Sequence, residues 1–132
     1  MTDATMPLEV VSAEGHVLSA EITELYARGV EGEIGILPGH QPAVVALDVG
    51  AVRAVLVDGS DQRIAVHRGV LFVGDDGRCI VLADIAELAS DIDLARAKRQ
   101  QRILEERLAN SSDASLLASL KKQQLRVDLG EG

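Results

Sequence analysis

Aromatic residues are nearly missing from this 132-residue chain, which has no tryptophan, one tyrosine and one phenylalanine. Proteins that bind single-stranded nucleic acid stack bases on aromatic side chains and follow the backbone with a basic groove. This chain has neither feature overall, because its formal net charge is −8. We therefore expect no nucleic-acid partner, and a core made of valine, leucine, isoleucine and alanine.

Cysteine and histidine are also scarce. The single Cys79 cannot form an internal disulfide, which fits a reducing compartment. His16, His40 and His67 do not lie at metal-ligand spacing, so no metal site and no required cofactor is predicted. The sequence also lacks a Gly-x-Ser-x-Gly motif and any spacing that would pair two carboxylates in a cleft. No catalytic residue is predicted.

Long hydrophobic runs are missing too. The longest uncharged run, Ile34–Leu47, is interrupted by glycine and proline and falls short of the ~18–20 apolar residues of a spanning helix. The N-terminal segment has neither a basic region nor an apolar run, so no signal peptide is predicted. We expect any membrane association to go through a partner.

Glycine and proline are concentrated in one stretch, Gly29–Pro42, which holds four of the 12 glycines and two of the three prolines. Such residues allow a chain to turn sharply between short extended pieces. The glycines match neither phosphate-binding fingerprint, G-x-G-x-x-G or G-x-x-x-x-G-K-[ST]. The stretch is either a simple turn cluster in an all-β domain or a shaped tip that meets a partner.

Short strands surround that stretch. Apolar residues alternate along these strands. Turn signals separate the strands, including hairpin turns at residues 58–61 and 74–77. The predicted strands are Pro7–Ser12, His16–Arg28, Ala43–Leu47, Ala51–Val57, Arg63–His67, Val70–Val73 and Cys79–Ala83. This pattern predicts an all-β sandwich or flattened barrel over residues 1–86.

Two helices are predicted in residues 87–132. Ser90 and Asp93 have the spacing of a capping box that starts a helix ending near Ala109. Asn110–Asp113 supplies a stop and a new N-cap for a second helix, about Ala114–Arg126, with a frayed tail. A short link between two helices makes an antiparallel hairpin. The charge changes at the same place, since residues 1–89 have 14 acids and 5 bases and residues 90–132 have 7 acids and 8 bases.

A basic stripe marks the first helix. Arg96, Arg99 and Arg102 belong to a cluster of five basic residues that ends at Arg107. The stripe is either a solvated face paired with nearby glutamates or a surface for an acidic partner or phosphates.

Residues 32–40, Gly-Glu-Ile-Gly-Ile-Leu-Pro-Gly-His, resemble the signature segment of the epsilon subunit of bacterial F-type ATP synthases. Three further segments, Val10–Glu14, Val81–Asp84 and Leu94–Ala97, occur in the same order as in that family. The resemblance covers nearly the whole chain, and a β domain followed by a helical hairpin is also the architecture of that subunit.

The resemblance implies a non-catalytic subunit of the central stalk, which couples proton-driven rotation to ATP synthesis. Its sandwich would bind the gamma subunit and rest on the ring of c subunits through Glu33 and His40. Its hairpin would restrain ATP hydrolysis by presenting the basic stripe to the beta subunits. The complex would hold it, as a peripheral protein, at the cytoplasmic face of the cell membrane.

The resemblance also makes ATP a candidate regulatory ligand. The segment Ile92–Ala97 is similar to the Ile/Leu-Asp-x-x-Arg-Ala segment of epsilon subunits that bind ATP. Glu87, Ile92, Asp93 and Arg96 are the candidate binding residues. Asp93 and Arg96 are also ordinary helix-start residues, so their spacing has a purely structural interpretation.

Three positions depart from the family pattern. Where ATP-binding relatives have arginines on the second helix, this sequence has Leu120 and Gln124. Arg68 stands where relatives commonly have a second glycine before Gly69, which we expect to alter a strand bend locally.

An alternative from another class is a stand-alone β-sandwich adaptor or nucleotide sensor. Its helical hairpin would then be a lid, and Asp93 and Arg96 would bind the nucleotide. A hydrolytic enzyme has no support beyond abundant carboxylates.

Overall fold

A computed structural model describes residues 4–109 and 113–131 of the chain. The chain divides into two compact units, Met1–Leu88 and Ala89–Gly132, and each is described by itself. The first unit is all β and the second contains two helices, which confirms the predicted fold class. The predicted division after residue 86 falls inside the last strand, which continues to Leu88.

Seven strands make up the first unit. They are β1 (Met6–Ser12), β2 (Gly15–Gly29), β3 (Gly32–Ile36), β4 (Ala43–Leu47), β5 (Gly50–Leu56), β6 (Asp61–Val73) and β7 (Cys79–Leu88). The predicted hairpin turns join β5 to β6 and β6 to β7. The predicted turn cluster Gly29–Pro42 contains the strand β3, which was not predicted from the sequence.

The strands close on themselves as a flattened barrel. They pair in the order β1-β7-β6-β4-β2-β3, while β5 bridges β6 and β2, and β1 also pairs with β2. The β1–β7 pairing is parallel and the others are antiparallel. Closure leaves few strand edges unpaired, and β3 is the strand at the end of the order.

The core contains almost no aromatic residue, as the composition predicts. Leu8 and Val10 of β1 face inward beside Leu71 of β6 and Val81 of β7, and all four side chains are buried. Their alternation along each strand gives the two-residue period of a sheet with one face on the core.

The strand β6 bends at Arg68. We predicted two strands separated by a glycine, but the structure has one continuous strand that pairs with β5 before Arg68 and with β4 after it. Arg68 has a φ of 69°, in the left-handed region that glycine adopts readily and other residues avoid. Arg68 therefore holds β6 in a bend that a glycine would adopt more readily.

The neighbouring Gly69 allows β6 to approach β7 closely. A Cβ atom at Gly69 would lie 2.3 Å from the Leu82 carbonyl oxygen and 2.9 Å from the Ala83 Cα atom. Both contacts are with backbone, which cannot move aside as a flexible side chain can. Any other residue at this position would force the two strands apart.

The second unit starts with a single 3₁₀ turn, Ala89–Asp91, followed by α1 (Leu94–Ala109) and α2 (Ala114–Glu131). The helix α2 is longer than predicted, and its helical structure includes two of the tail residues predicted to fray. The predicted helix stop at residues 110–112 lies outside the described residues. Leu117, an apolar residue of α2, is 56% exposed.

The helix caps differ in part from the prediction. The Asp93 carboxylate accepts a 3.0 Å hydrogen bond from the Arg96 backbone N–H, so Asp93 is the N-cap of α1. The predicted N-cap, Ser90, lies in the preceding 3₁₀ turn. Asp113 caps α2, because it accepts hydrogen bonds of 2.8 Å from the Ser115 N–H and hydroxyl, and these bonds lower the pKa of Asp113.

Two substitutions at the β6 bend should have opposite effects on stability. We expect Gly69→Ala to cost about 2–3 kcal/mol, because the added Cβ collides with the β7 backbone. Arg68→Gly should stabilise the fold by about 0.5–1 kcal/mol, because it relieves the left-handed strain and loses part of that gain to chain entropy. Urea unfolding measures both changes, and a stable Gly69→Ala variant would contradict the close approach.

Candidate functional site

The turn after β3 has a defined geometry. The His40 backbone N–H donates a 3.0 Å hydrogen bond to the Leu37 carbonyl, with Pro38 and Gly39 between them. Gly39 has a φ of 90°, and proline followed by such a glycine is the pattern of a type II turn. The predicted tip is therefore a fixed turn.

The structure places Glu33 and His40 on the surface of this region. Glu33 is exposed on β3, opposite Arg28 of β2. His40 is half-buried, and its Nδ1 donates a 2.6 Å hydrogen bond to the Gln41 carbonyl, which leaves Nε2 as the acceptor of the neutral ring. Within the described residues, no hydrogen bond or ion pair joins Glu33 to His40, so the two side chains are independent of each other.

A shallow cleft lies beside Glu33. It has a volume of about 490 Å³ and runs from the β2–β3 turn to the middle of β4. Its lining includes Val30 and Val44, whose side chains are 64% and 71% exposed. The cleft therefore offers apolar contact area next to a carboxylate.

A larger apolar surface covers the outer face of β4, β6 and β7. Val44 pairs with Phe72 and Phe72 with Ile80, while Ala46 pairs with Val70 and Val70 with Leu82. Cross-strand partners lie on the same side of a sheet, so these side chains form one patch. We call it the outer apolar face and define it as Val44, Ala46, Val70, Phe72, Ile80 and Leu82.

The outer apolar face reaches the solvent. Phe72 is 37% exposed and Leu82 is 44% exposed, while their neighbours Leu71 and Val81 point into the core. The outer positions of a sheet that faces water are normally polar. A contiguous apolar patch at such positions is typical of a protein–protein interface.

Sequence reasoning missed this face, although its signal is visible. The runs at Ala43–Leu47, Val70–Val73 and Cys79–Ala83 are apolar at both alternate sets of positions. Periodicity alone cannot distinguish a strand that is buried on both faces from one whose outer face is exposed until a partner binds.

The basic stripe lies on an exposed side of α1. Arg96, Arg99 and Arg102 are all exposed, whereas Ala97 and Leu104 are the buried residues of this helix. The three guanidinium groups thus share the solvent side of the helix, where an acidic surface could reach them.

The candidate ATP-binding residues belong to different units. Glu87 is on β7 in the first unit, where its Oε1 atom lies 3.7 Å from Nε2 of the buried His67. Ile92, Asp93 and Arg96 are in the second unit, where the Asp93 carboxylate already accepts the Arg96 N–H. ATP binding at these four residues stays a prediction.

Comparison with known proteins decides the family. A family model described as the beta-sandwich domain of the ATP synthase Delta/Epsilon chain matches residues 5–89. An ATP synthase epsilon chain from Pelotomaculum thermopropionicum is 39% identical over 112 residues, which are 85% of this chain and 82% of that relative. The chain belongs to the ATP synthase epsilon family. An epsilon chain from Dehalococcoides mccartyi is 36% identical over 133 residues, covering 97% of this chain and 94% of the relative.

Solved structures share the fold. A chain in the Euglena gracilis mitochondrial ATP synthase, a structure of OSCP, F1 and the c-ring, matches with a TM-score of 0.73 and 19% identity over 97% of this chain and 78% of that one. A chain in the central stalk and c-ring structure of the Tetrahymena thermophila mitochondrial ATP synthase matches with a TM-score of 0.56 and 13% identity, covering 70% of this chain and 73% of that one. At these identities the likeness concerns the fold alone.

Family membership confirms that the chain is a non-catalytic accessory subunit of the central stalk. This displaces the stand-alone adaptor or sensor that the sequence left open. The family belongs to the F1 part of the membrane-associated ATP synthase. Among the described residues, no helix has the length and apolar content needed to cross a bilayer.

Asp93 and Ser90 provide a direct test of the cap at the start of α1. We expect Asp93→Ala to weaken the first turn of α1 by about 1 kcal/mol, since the Arg96 N–H loses its acceptor. Ser90→Ala should change it by less than about 0.5 kcal/mol. Amide hydrogen exchange in α1 measures both, and equal effects of the two substitutions would contradict the assignment of Asp93 as the cap.

Proposed function

We propose that this epsilon subunit couples proton-driven rotation to ATP synthesis and restrains ATP hydrolysis from the cytoplasmic face of the cell membrane. Its first unit docks on the gamma subunit and on the ring of c subunits. Its helical hairpin acts as the brake, through contacts with the beta subunits. The outer apolar face is the observation that carries this proposal, because it is a ready docking surface on a non-catalytic domain.

The outer apolar face is the proposed gamma-binding surface. Phe72 lies in the middle of it, with Val44 on one neighbouring strand and Ile80 on the other. Aromatic side chains at the centre of an apolar patch commonly carry most of an interface's binding energy. Burying the patch against gamma removes this apolar area from water.

The fixed turn and β3 supply the proposed ring contact. Glu33 and His40 are surface residues on this part of the first unit, and both can hydrogen-bond polar loops. Polar contacts of this kind fix the register of an interface. Such a contact suits a subunit that rests on a rotating ring.

The brake is assigned to the basic stripe. Arg96, Arg99 and Arg102 give α1 an exposed positive side on a protein whose net charge is −8. Isolated helices of this length are marginal in water, so the resting place of the hairpin depends on docking. Two docked positions of similar free energy make the hairpin bistable. A free-energy difference of a few kcal/mol between these positions then shifts its population strongly.

Charged substitutions in the outer apolar face should release gamma. We expect Phe72→Asp to weaken the gamma complex by about 2 kcal/mol or more, because the interface would bury an unpaired carboxylate, which is roughly thirtyfold in Kd. Val57→Asp is the matched control, since Val57 is 60% exposed but lies outside this face. Size-exclusion co-elution with gamma measures both, and retention of the Phe72→Asp chain would contradict the docking surface.

Charge reversal of the stripe should release the brake without releasing gamma. We expect the triple substitution of Arg96, Arg99 and Arg102 by glutamate to restore ATP hydrolysis by F1, while gamma co-elution stays unchanged. Arg78→Glu, a reversal of an exposed arginine in the first unit, serves as the control. A triple variant that inhibits hydrolysis as strongly as the unmodified chain would contradict a brake that depends on the charge of the stripe.

A further inference from the structure

Tyr26 is one of the two aromatic residues of the chain, and it lies outside the core. Its neighbours Leu25 and Ala27 are buried, so the Tyr26 side chain points to the outer face of β2. On that face it stands between two cross-strand partners, Gly35 of β3 and Arg53 of β5. Tyr26 therefore lies where the end strand β3 joins the rest of the sheet.

Three contacts hold the aromatic side chain. A Cβ atom added to Gly35 would lie 3.1 Å from Tyr26 Cε1 and 3.3 Å from Cδ1, so this edge of the aromatic ring lies against β3. The Arg53 guanidinium carbon lies over the aromatic ring, 4.9 Å from its centroid, which is a cation–π contact. The Tyr26 hydroxyl donates a 2.5 Å hydrogen bond to Glu24 Oε1, and this bond raises the pKa of Tyr26.

Asp61 orients the arginine that covers the aromatic ring. Its Oδ2 atom lies 3.8 Å from Arg53 Nη1 and 3.6 Å from Arg63 Nε. All three side chains are partly exposed, so these ion pairs orient the guanidinium groups more than they stabilise the fold. The contacts from Gly35 through Tyr26 and Arg53 to Asp61 thus form one row across β3, β2, β5 and β6.

The outer side of β3 depends on this row. The strand has five residues and lies at the end of the strand order, paired with β2. Its inner side is held by Ile34 and Ile36, which pack against the core. On its outer side Gly35 has no side chain, and the aromatic edge of Tyr26 supplies the cross-strand contact that is otherwise missing.

The strand β3 in turn sets the direction of the two predicted contact residues. Glu33 lies two residues before Gly35, on the same side of the strand. Among the described residues no ion pair joins Glu33 to Arg28 on the opposite strand, and the Arg28 stem packs against β5. The turn that leads to His40 begins at Leu37, directly after the strand. Both residues therefore take their direction from the β3 backbone.

We propose that Tyr26 is a positioning residue for the contact with the ring of c subunits, because it fastens β3 to the sheet and so fixes the direction of Glu33 and of the turn that carries His40. The role rests on the proposed function, which assigns the ring contact to those two residues. Contact residues need neighbours that lock their backbone in the productive geometry. Tyr26 provides this support without touching the partner itself.

Hydrogen exchange on the full-length chain tests the hold on β3. Tyr26→Thr keeps a strand-forming residue that is too short to reach Gly35, and it should speed amide exchange in β3 by about tenfold. Tyr26→Phe keeps the aromatic ring and should stay within about threefold of the unmodified chain. Arg53→Met should speed exchange by about two- to fivefold. Arg78→Met, at an exposed arginine between β6 and β7, is the matched control.

Binding to the purified ring of c subunits tests the positioning role. Each variant is bound to gamma, and the complex is titrated with the ring. We expect Tyr26→Thr to weaken ring binding by about three- to tenfold and Tyr26→Phe to restore it, while co-elution with gamma stays unchanged. A residue that only stabilised the whole sheet would weaken gamma binding as well.

Three results would overturn the positioning role. These are unchanged β3 exchange in Tyr26→Thr, exchange that rises equally in β6 and β7, or unchanged ring binding in a variant whose β3 exchange has risen. The double substitution Glu33→Ala and His40→Ala tests the ring contact separately. If it leaves ring binding unchanged, the proposed ring contact is wrong. If it weakens ring binding and Tyr26→Thr does not, the positioning role alone is wrong.

Discussion

The close approach of β6 to β7 at Gly69 is the constraint on which the first unit depends. There is no room for a side chain at this point, since a Cβ would meet the Leu82 carbonyl at 2.3 Å. The preceding Arg68, with its left-handed backbone, turns β6 so that one strand pairs with β5 and then with β4. This bend closes the flattened barrel and sets the register that puts Val70 and Phe72 on its outer face.

The two units differ in how they are stabilised. The first has a continuous aliphatic core, in which side chains such as Leu8 and Leu71 are almost fully buried. The second has three buried residues in its two helices and relies partly on exposed polar contacts between α1 and α2, such as the Lys98–Glu131 ion pair. A rigid docking domain joined to a weakly held hairpin is the physical arrangement that a subunit with a fixed anchor and a movable brake requires.

Much of the fold was predictable because turn residues and alternation are local signals. The hairpin turns at residues 58–61 and 74–77 and the strand Ala43–Leu47 follow from them directly. The misses have physical causes. Ser90 and Asp93 both suit an N-cap, and only geometry shows that Asp93 accepts the Arg96 N–H. The outer apolar face could not be predicted, because a run of apolar residues does not show which face of the strand is exposed to solvent. Glu33 and His40 came from the resemblance alone.

ATP hydrolysis by an epsilon-depleted F1 complex, titrated with the full-length chain, tests the central claim that a gamma-docked sandwich carries a regulatory hairpin. We expect a saturable fall in the hydrolysis rate, with the chain co-eluting with gamma at saturation. Stable co-elution without any fall in rate would contradict the brake and leave a coupling subunit. If the chain neither co-elutes with gamma nor inhibits hydrolysis, the result would contradict the docking surface as well.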